Sequence, residues 1–287
     1  MRKVAVINQK GGVGKTTTAA NLGAALARSG LRVLLLDMDA QGNLTIHLDR
    51  RPDLATKTMT HLFVDDLPLT DLIQPTSTDG LFLAPADTSL AGVEQVLANR
   101  IGRETILREA FEKLEASTTF DVLLMDCPPA LGVLSANALV AADEVLIPLQ
   151  TEYFALQGMA KLMEVVALVR RRLNPALRIH SILPCLVDLR TNLTNEVLDE
   201  IRRHFGDIVA KTMIRSNVKL AEAPSFGKTI FEHAPESNGA RDYEAFAREF
   251  VSVAATTPAA PAPAPAAASA APTTTPLAGR DASAADG

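Results

Sequence analysis

Seven residues near the N-terminus, Gly11-Gly12-Val13-Gly14-Lys15-Thr16-Thr17, constrain this chain more than any other feature. They follow the apolar run Val4–Ile7 and open a helical pattern over Thr16–Arg28. A glycine-rich loop in that position lets backbone N–H groups turn inward around phosphate oxygens, and the helix N-terminus adds the positive end of its dipole. The lysine reaches the β- and γ-phosphates as a point charge, and the hydroxyl after it binds Mg²⁺. Gly11, Gly12, Val13, Gly14, Lys15, Thr16 and Thr17 are therefore predicted to bind ATP, with Thr16 also a ligand of Mg²⁺. A chance glycine loop would not bring spacing, strand and helix into agreement.

The rest of the chain fits around that loop. Strands are predicted at Val4–Ile7, Val33–Leu36, Leu81–Leu83, Val122–Met125, Val145–Leu149 and Ile179–Val187. Helices alternate with them at Thr16–Arg28, Val93–Leu97, Thr105–Leu114, Leu134–Ala141, Leu156–Leu173 and Leu193–Phe205, with a last amphipathic helix over Gly239–Phe250. Continuous apolar strands alternating with helices predict a single α/β domain, a mostly parallel twisted sheet with helices on both faces. Ligands in such sheets bind at the carboxyl ends of the strands. The chain has 287 residues, 47% of them hydrophobic, enough for one large core. The domain spans 1–253. Beyond it, 254–287 is rich in Ala, Pro and Thr, with Leu277 its one large aliphatic residue, and is expected to be a disordered tail. No apolar run reaches the length of a membrane span. Two cysteines without metal-type spacing, Cys127 and Cys185, fit a reducing cytoplasm.

Asp126 ends the buried run Val122–Met125. An acid at a strand end beside a phosphate loop suits the Walker B role of holding Mg²⁺. Cys127, next to it, is read as a small buried residue rather than a nucleophile.

Lys10 stands immediately before the glycines, and Lys10-Gly11-Gly12-Val13-Gly14-Lys15-Thr16-Thr17 resembles the deviant Walker A motif of the ParA/MinD family. The resemblance implies that two subunits sandwich two ATP molecules, with Lys10 acting in the partner's site. Leu36-Asp37-Met38-Asp39-Ala40-Gln41-Gly42-Asn43 resembles the family's second acidic motif, which implies that Asp39 orients the attacking water and Asp37 supports metal and loop. Asp126-Cys127-Pro128-Pro129 matches the family's Walker B. Pro148–Gly158 and Asn217–Gly227 resemble segments of the ParA/Soj partition branch. The second implies adenine-loop contacts by Asn217, Glu222 and Pro224. By the same resemblance Lys10, Lys15 and Asp39 are the catalytic residues, and a ParB-type centromere-binding protein is the partner. The implied outcome is segregation of a chromosome or plasmid by a homodimeric, nucleoid-associated ATPase.

Two departures stand out. The common Pro after the second acid is Ala40, and the common Pro-Arg before the adenine-loop Asn is Arg215-Ser216. No helix-turn-helix extension precedes the phosphate loop, which argues against operator-specific repression.

The chain carries a formal charge of −5, yet residues 161–228 hold twelve Lys and Arg against seven Asp and Glu, a net of +5. Arg170-Arg171-Arg172, Arg190, Arg202-Arg203, Arg215 and Lys219 contribute most. Few aromatic residues lie among them, so contact with duplex phosphates fits better than base stacking. Arg190 and Lys219 match family positions implicated in DNA contact and are the predicted DNA-binding residues; for Arg170–Arg172 a solvated helix face is an equal alternative.

Two rival classes share the nucleotide site. A MinD-like positioning ATPase needs a C-terminal amphipathic membrane helix, and the tail, with Arg280 its one basic residue, lacks that pattern. A small-molecule ligase or kinase needs an acceptor pocket that sequence does not reveal. An iron-protein-like reductase needs cysteines that bridge a cluster across the dimer, which Cys127 and Cys185 do not match.

Overall fold

The computed structural model describes residues 1–253 apart from residues 54, 152–154 and 191. The 254–287 segment and the Glu152-Tyr153-Phe154 part of the partition-type motif lie outside the described residues.

Seven described strands form one sheet: β1 (Arg2–Val6), β2 (Val33–Asp37), β3 (Gln74–Pro75), β4 (Leu81–Ala84), β5 (Val122–Asp126), β6 (Glu144–Gln150) and β7 (Arg178–Cys185). Their order is β3-β4-β2-β5-β1-β6-β7. All neighbours pair in parallel except β3, which runs antiparallel to β4 at the edge. Pro75 is tolerated there because an edge strand can spare an N–H.

Eleven described α-helices connect and follow the strands: α1 (Lys15–Arg28), α2 (Asn43–His47), α3 (Met59–Val64), α4 (Val93–Val96), α5 (Ile106–Ser117), α6 (Val133–Ala141), α7 (Ala155–Arg172), α8 (Asn192–Phe205), α9 (Val218–Glu222), α10 (Ile230–His233) and α11 (Asn238–Val253). No described helix is long and apolar enough to cross a membrane.

Strand alternation sorts the core into two layers. Val4, Val6, Val33, Leu35 and Leu124 pack beneath α1 and α11, where Leu22, Leu26, Tyr243, Phe246 and Phe250 are buried. Ala5, Ile7, Leu34, Leu36 and Leu123 face the other way, onto α5, α6 and α7. α1 lies very close to the sheet: a Cβ at Gly23 would stand 2.8 Å from Leu35 Cδ2, so the position excludes any larger residue without local movement.

The predicted strands all form. The one over Ile179–Val187 ends at Cys185 because Leu186 takes a left-handed backbone, φ 54°, and turns the chain across the top of the sheet. At the opposite pole, buried Glu144 accepts hydrogen bonds from Arg2 (2.6 Å) and Arg178 (2.5 Å). Arg2 also donates to the Phe250 carbonyl at 3.0 Å and lies 3.8 Å over that ring, tying α11 to β1. Buried His180 joins this cluster, its Nδ1 3.1 Å from Arg2.

Candidate active site

The carboxyl ends of β1, β2, β5 and β7 converge on one cleft of about 710 Å³. The glycine loop forms one wall. Gly12 and Gly14 hold φ of 75° and 91°, a left-handed region that side-chain-bearing residues rarely adopt. The Thr18 N–H donates to the Gly14 carbonyl at 2.8 Å and starts α1, whose first turn carries no acid to oppose an anion. Asn8 braces the loop, donating to the Pro148 carbonyl at 2.8 Å and accepting from the Lys10 N–H at 3.1 Å.

Lys15 Nζ donates to the Lys10 carbonyl at 3.2 Å. Burial lowers its pKa, against the pull of Asp126, Cys127 and Asp39. Lys10 is exposed, its ammonium 3.4 Å from Gln150 Oε1 at the end of β6. Val13 is fully buried and does not line the cleft, whereas Gly11, Gly12, Gly14, Thr16 and Thr17 do.

Asp37 and Asp126 pair in register on β2 and β5. Asp37 accepts from the Thr45 N–H (2.8 Å), the Thr45 hydroxyl (2.6 Å) and the Asp39 N–H (3.2 Å). These three hydrogen bonds tie the carboxylate to the 39–45 loop. Burial raises its pKa to about 6 despite those hydrogen bonds. Asp126 is different. Both of its oxygens are buried without a hydrogen-bond partner. Burial, then the charge of Asp37, pushes its pKa well up; the nearby Thr16 hydroxyl and Lys15 favour ionisation without offsetting that. A buried carboxylate left unpaired is costly unless a cation joins it. Among the described residues no three His, Cys, Asp or Glu cluster as a metal cage. One carboxylate and one hydroxyl beside a phosphate site fit Mg²⁺, which keeps its waters and shares phosphate oxygens. Asp39, half-buried on the cleft wall, accepts from the Gln41 N–H at 3.0 Å.

The opposite wall carries the 215–224 segment. Asn217 caps α9, its Oδ1 accepting from the Lys219 N–H at 2.8 Å, and Asn217 and Pro224 line the cleft. Glu222 does not line it: its carboxylate pairs with Lys219 at 2.8 Å and His233 at 3.3 Å. Cleft-lining residues that sequence reasoning missed include Gln41, Ile46, Cys185, Leu186 and Tyr243. Tyr243 and Cys185 sit in apolar patterns that read as core, and they are core: burial pushes the Cys185 thiol up to about 12. Cys127 is buried and its thiol is likewise pushed up.

The basic stretch does not act as one patch. Arg190 is exposed and paired with Asp188 at 2.7 Å, holding that carboxyl near 2. Arg178 is consumed by Glu144, and Arg170–Arg172 end α7 at the pole opposite the cleft, where cations favour a helix C-terminus. Arg215, counted above among the contributors to a DNA surface, is instead turned inward onto Asp242 at 2.6 Å. Arg190 and Lys219 both stay exposed, each in an ion pair, with Asp188 and with Glu222. An isolated parallel bridge between Val187 and Arg215 sets their two segments side by side.

Residues 1–179 match the family model described as an AAA domain. The chain is 48% identical over 252 residues to the chromosome-partitioning ATPase Soj of Thermus thermophilus, covering 88% of this chain and 96% of that protein. It is 45% identical over 246 residues to the sporulation initiation inhibitor protein Soj of Bacillus subtilis, covering 86% and 96%. A crystal structure of cobyrinic acid a,c-diamide synthase from Mycobacterium smegmatis, with bound ATP analogue and magnesium, superimposes with a TM-score of 0.78 at 36% identity, covering 89% of this chain and 96% of that one.

Proposed function

The chain belongs to the Soj/ParA family of chromosome-partitioning ATPases, and on that premise we propose that it is a nucleotide-gated DNA-binding switch. It dimerises around ATP, holds non-specific duplex DNA in that state, and lets go after hydrolysis stimulated by a ParB-type centromere-binding partner. It works in the cytoplasm on the nucleoid.

The loop amides of Gly11–Thr17 and the Lys15 ammonium bind the phosphates. Lys15 exchanges its contact with the Lys10 carbonyl for the incoming oxygens. Thr16 and Asp126 would hold Mg²⁺, which would supply neutralisation of charge on the phosphates. Asp37 keeps the 39–45 loop folded so that Asp39 presents its carboxylate to water. That water's oxygen bonds to the γ-phosphorus as the bond to the β,γ-bridging oxygen breaks, leaving ADP with the electron pair, and the water's proton passes to phosphate or solvent. Positioning carries most of the effect. Lys10, exposed at the mouth, completes the partner's site across the dimer. Asn217 and Pro224 hold the nucleoside.

The DNA-binding half is supported by the Val187–Arg215 bridge, which sets the segments of the exposed Arg190 and Lys219 side by side. One subunit offers few phosphate contacts. A dimer doubles them on one rigid body and makes the second contact intramolecular. The test is binding to non-specific duplex DNA across a salt series with ADP and with a non-hydrolysable ATP analogue. Tight, salt-sensitive binding with the analogue alone is expected; equal binding in both states refutes the switch.

A small-molecule synthase is the second reading, favoured by the name of the Mycobacterium smegmatis structure. It requires ATP turnover that depends on a small acceptor rather than on DNA and a protein partner.

A further inference from the structure

Two consecutive residues of α11 reach the two walls of the nucleotide cleft. Tyr243 OH lies 3.2 Å from Thr18 Oγ1 in the first turn of α1, directly below the glycine loop. Asp242 takes the Arg215 N–H at 3.0 Å and the Arg215 guanidinium at 2.6 Å, at the start of the segment that forms the other wall. Asp242 is buried and Arg215 partly so.

The backbone explains why Arg215 needs this partner. Val187 donates to the Ile214 carbonyl at 3.1 Å and accepts from the Ser216 N–H at 3.0 Å. The bridge therefore uses the groups on either side of Arg215, and the Arg215 N–H points the other way, into α11. A proline at this position would have no N–H and demand no acceptor. Arginine brings a donor and a charge, both of which must be satisfied.

We infer that Asp242 is a positioning residue for the nucleoside wall of the cleft: through Arg215 it fixes Ser216 and Asn217. Tyr243 clamps the same helix to the phosphate wall, so α11 sets the spacing between the walls. This rests on the reading that the 216–224 segment holds the nucleoside of ATP. Among the described residues Asp242 hydrogen-bonds to Arg215 and to no residue of the phosphate wall, so its removal weakens the nucleoside wall and spares the phosphate wall.

The experiment measures Mg²⁺-dependent binding of ATP and of inorganic tripolyphosphate to the full chain, to Asp242→Ala, and to Asp242→Ala combined with Arg215→Pro. A fall in ATP affinity of about tenfold in Asp242→Ala is expected from one part-buried N–H left unpartnered and one guanidinium no longer held in place. Tripolyphosphate affinity stays at the parent level, and Arg215→Pro restores ATP binding by removing the orphaned donor. Three results overturn the inference: unchanged ATP affinity in Asp242→Ala, a parallel fall in tripolyphosphate affinity that marks general unfolding, or failure of Arg215→Pro to restore. Failure of the parent protein to bind ATP more tightly than tripolyphosphate refutes instead the nucleoside role of the segment.

Discussion

Asp37 and Asp126 stand in register at the ends of adjacent strands, yet Asp37 accepts three hydrogen bonds from the 39–45 loop while both oxygens of Asp126 are buried with no hydrogen-bond partner. That asymmetry separates a structural acid from one kept for a ligand.

Asp126→Asn is expected to raise the thermal stability of the nucleotide-free protein at neutral pH and to abolish the Mg²⁺-dependent gain in ATP affinity. Burial pushes the Asp126 pKa up, so at neutral pH its ionised form opposes folding and a neutral isostere relieves it. For a domain of this size each kcal/mol recovered raises Tm by about 2–4 °C. Thermal scans with and without Mg²⁺, beside calorimetric titration with ATP, read both halves. A destabilised Asp126→Asn protein would place the carboxylate in the structural class with Asp37.

Lys15→Ala is expected to weaken ATP binding by about 10–100-fold, the worth of a charge-assisted contact. Asp39→Ala should instead keep ATP and the dimer while turnover falls by about 10²-fold or more. Fluorescent-nucleotide binding beside phosphate release distinguishes the two. Normal turnover by Asp39→Ala removes Asp39 from the site.

Lys219→Ala is expected to weaken DNA binding in the ATP state and to flatten its salt dependence by about one unit of log–log slope for each phosphate that is no longer neutralised. Glu222→Gln should act in the opposite direction, because Glu222 neutralises Lys219 at 2.8 Å. Filter binding from low to high salt measures both, and an unaltered slope in Lys219→Ala assigns that lysine to its ion pair alone.

Protonation of His180 should destabilise the fold in acid. Burial, with Arg2 beside it, lowers its pKa from 6.5 to about 4, so the unfolded chain binds the proton first. Its contribution is complete above pH 6.5 and is lost as pH falls toward 4, up to about 3 kcal/mol. Asp37, raised to about 6, works in the other direction between its ordinary value and 6. Urea unfolding of the parent and of His180→Gln at pH 7 and pH 5 isolates the histidine: the parent should lose more stability than the variant across that interval. Equal losses would assign the acid sensitivity to other groups.

The parallel strands were legible because they are mostly apolar runs, and each predicted strand forms within about two residues of its expected ends, whereas the two-residue edge strand β3, Gln74–Pro75, was too short to read. The phosphate loop was legible for a different reason, since its chemistry is local to seven residues. Short elements were not legible: α2, α9 and α10 have four or five residues, too few for any period to show. Charge bookkeeping failed where geometry decides. Arg215 and Lys219 look alike in a count of basic residues, yet one is folded onto α11 and the other stays exposed beside Glu222. Asp242, which makes that difference, lies 27 residues away from Arg215 and carries no local signal.

The two layers of the core give the molecule a division of labour in evolutionary time. The nucleotide walls on α1, α2, α9 and α11 all belong to one face of the sheet, and α5, α6 and α7 pack on the other. Substitutions separated by a close-packed sheet share few neighbours and combine almost independently. Changes on the outer surfaces of α5, α6 and α7 can therefore accumulate while the nucleotide walls are inherited unchanged.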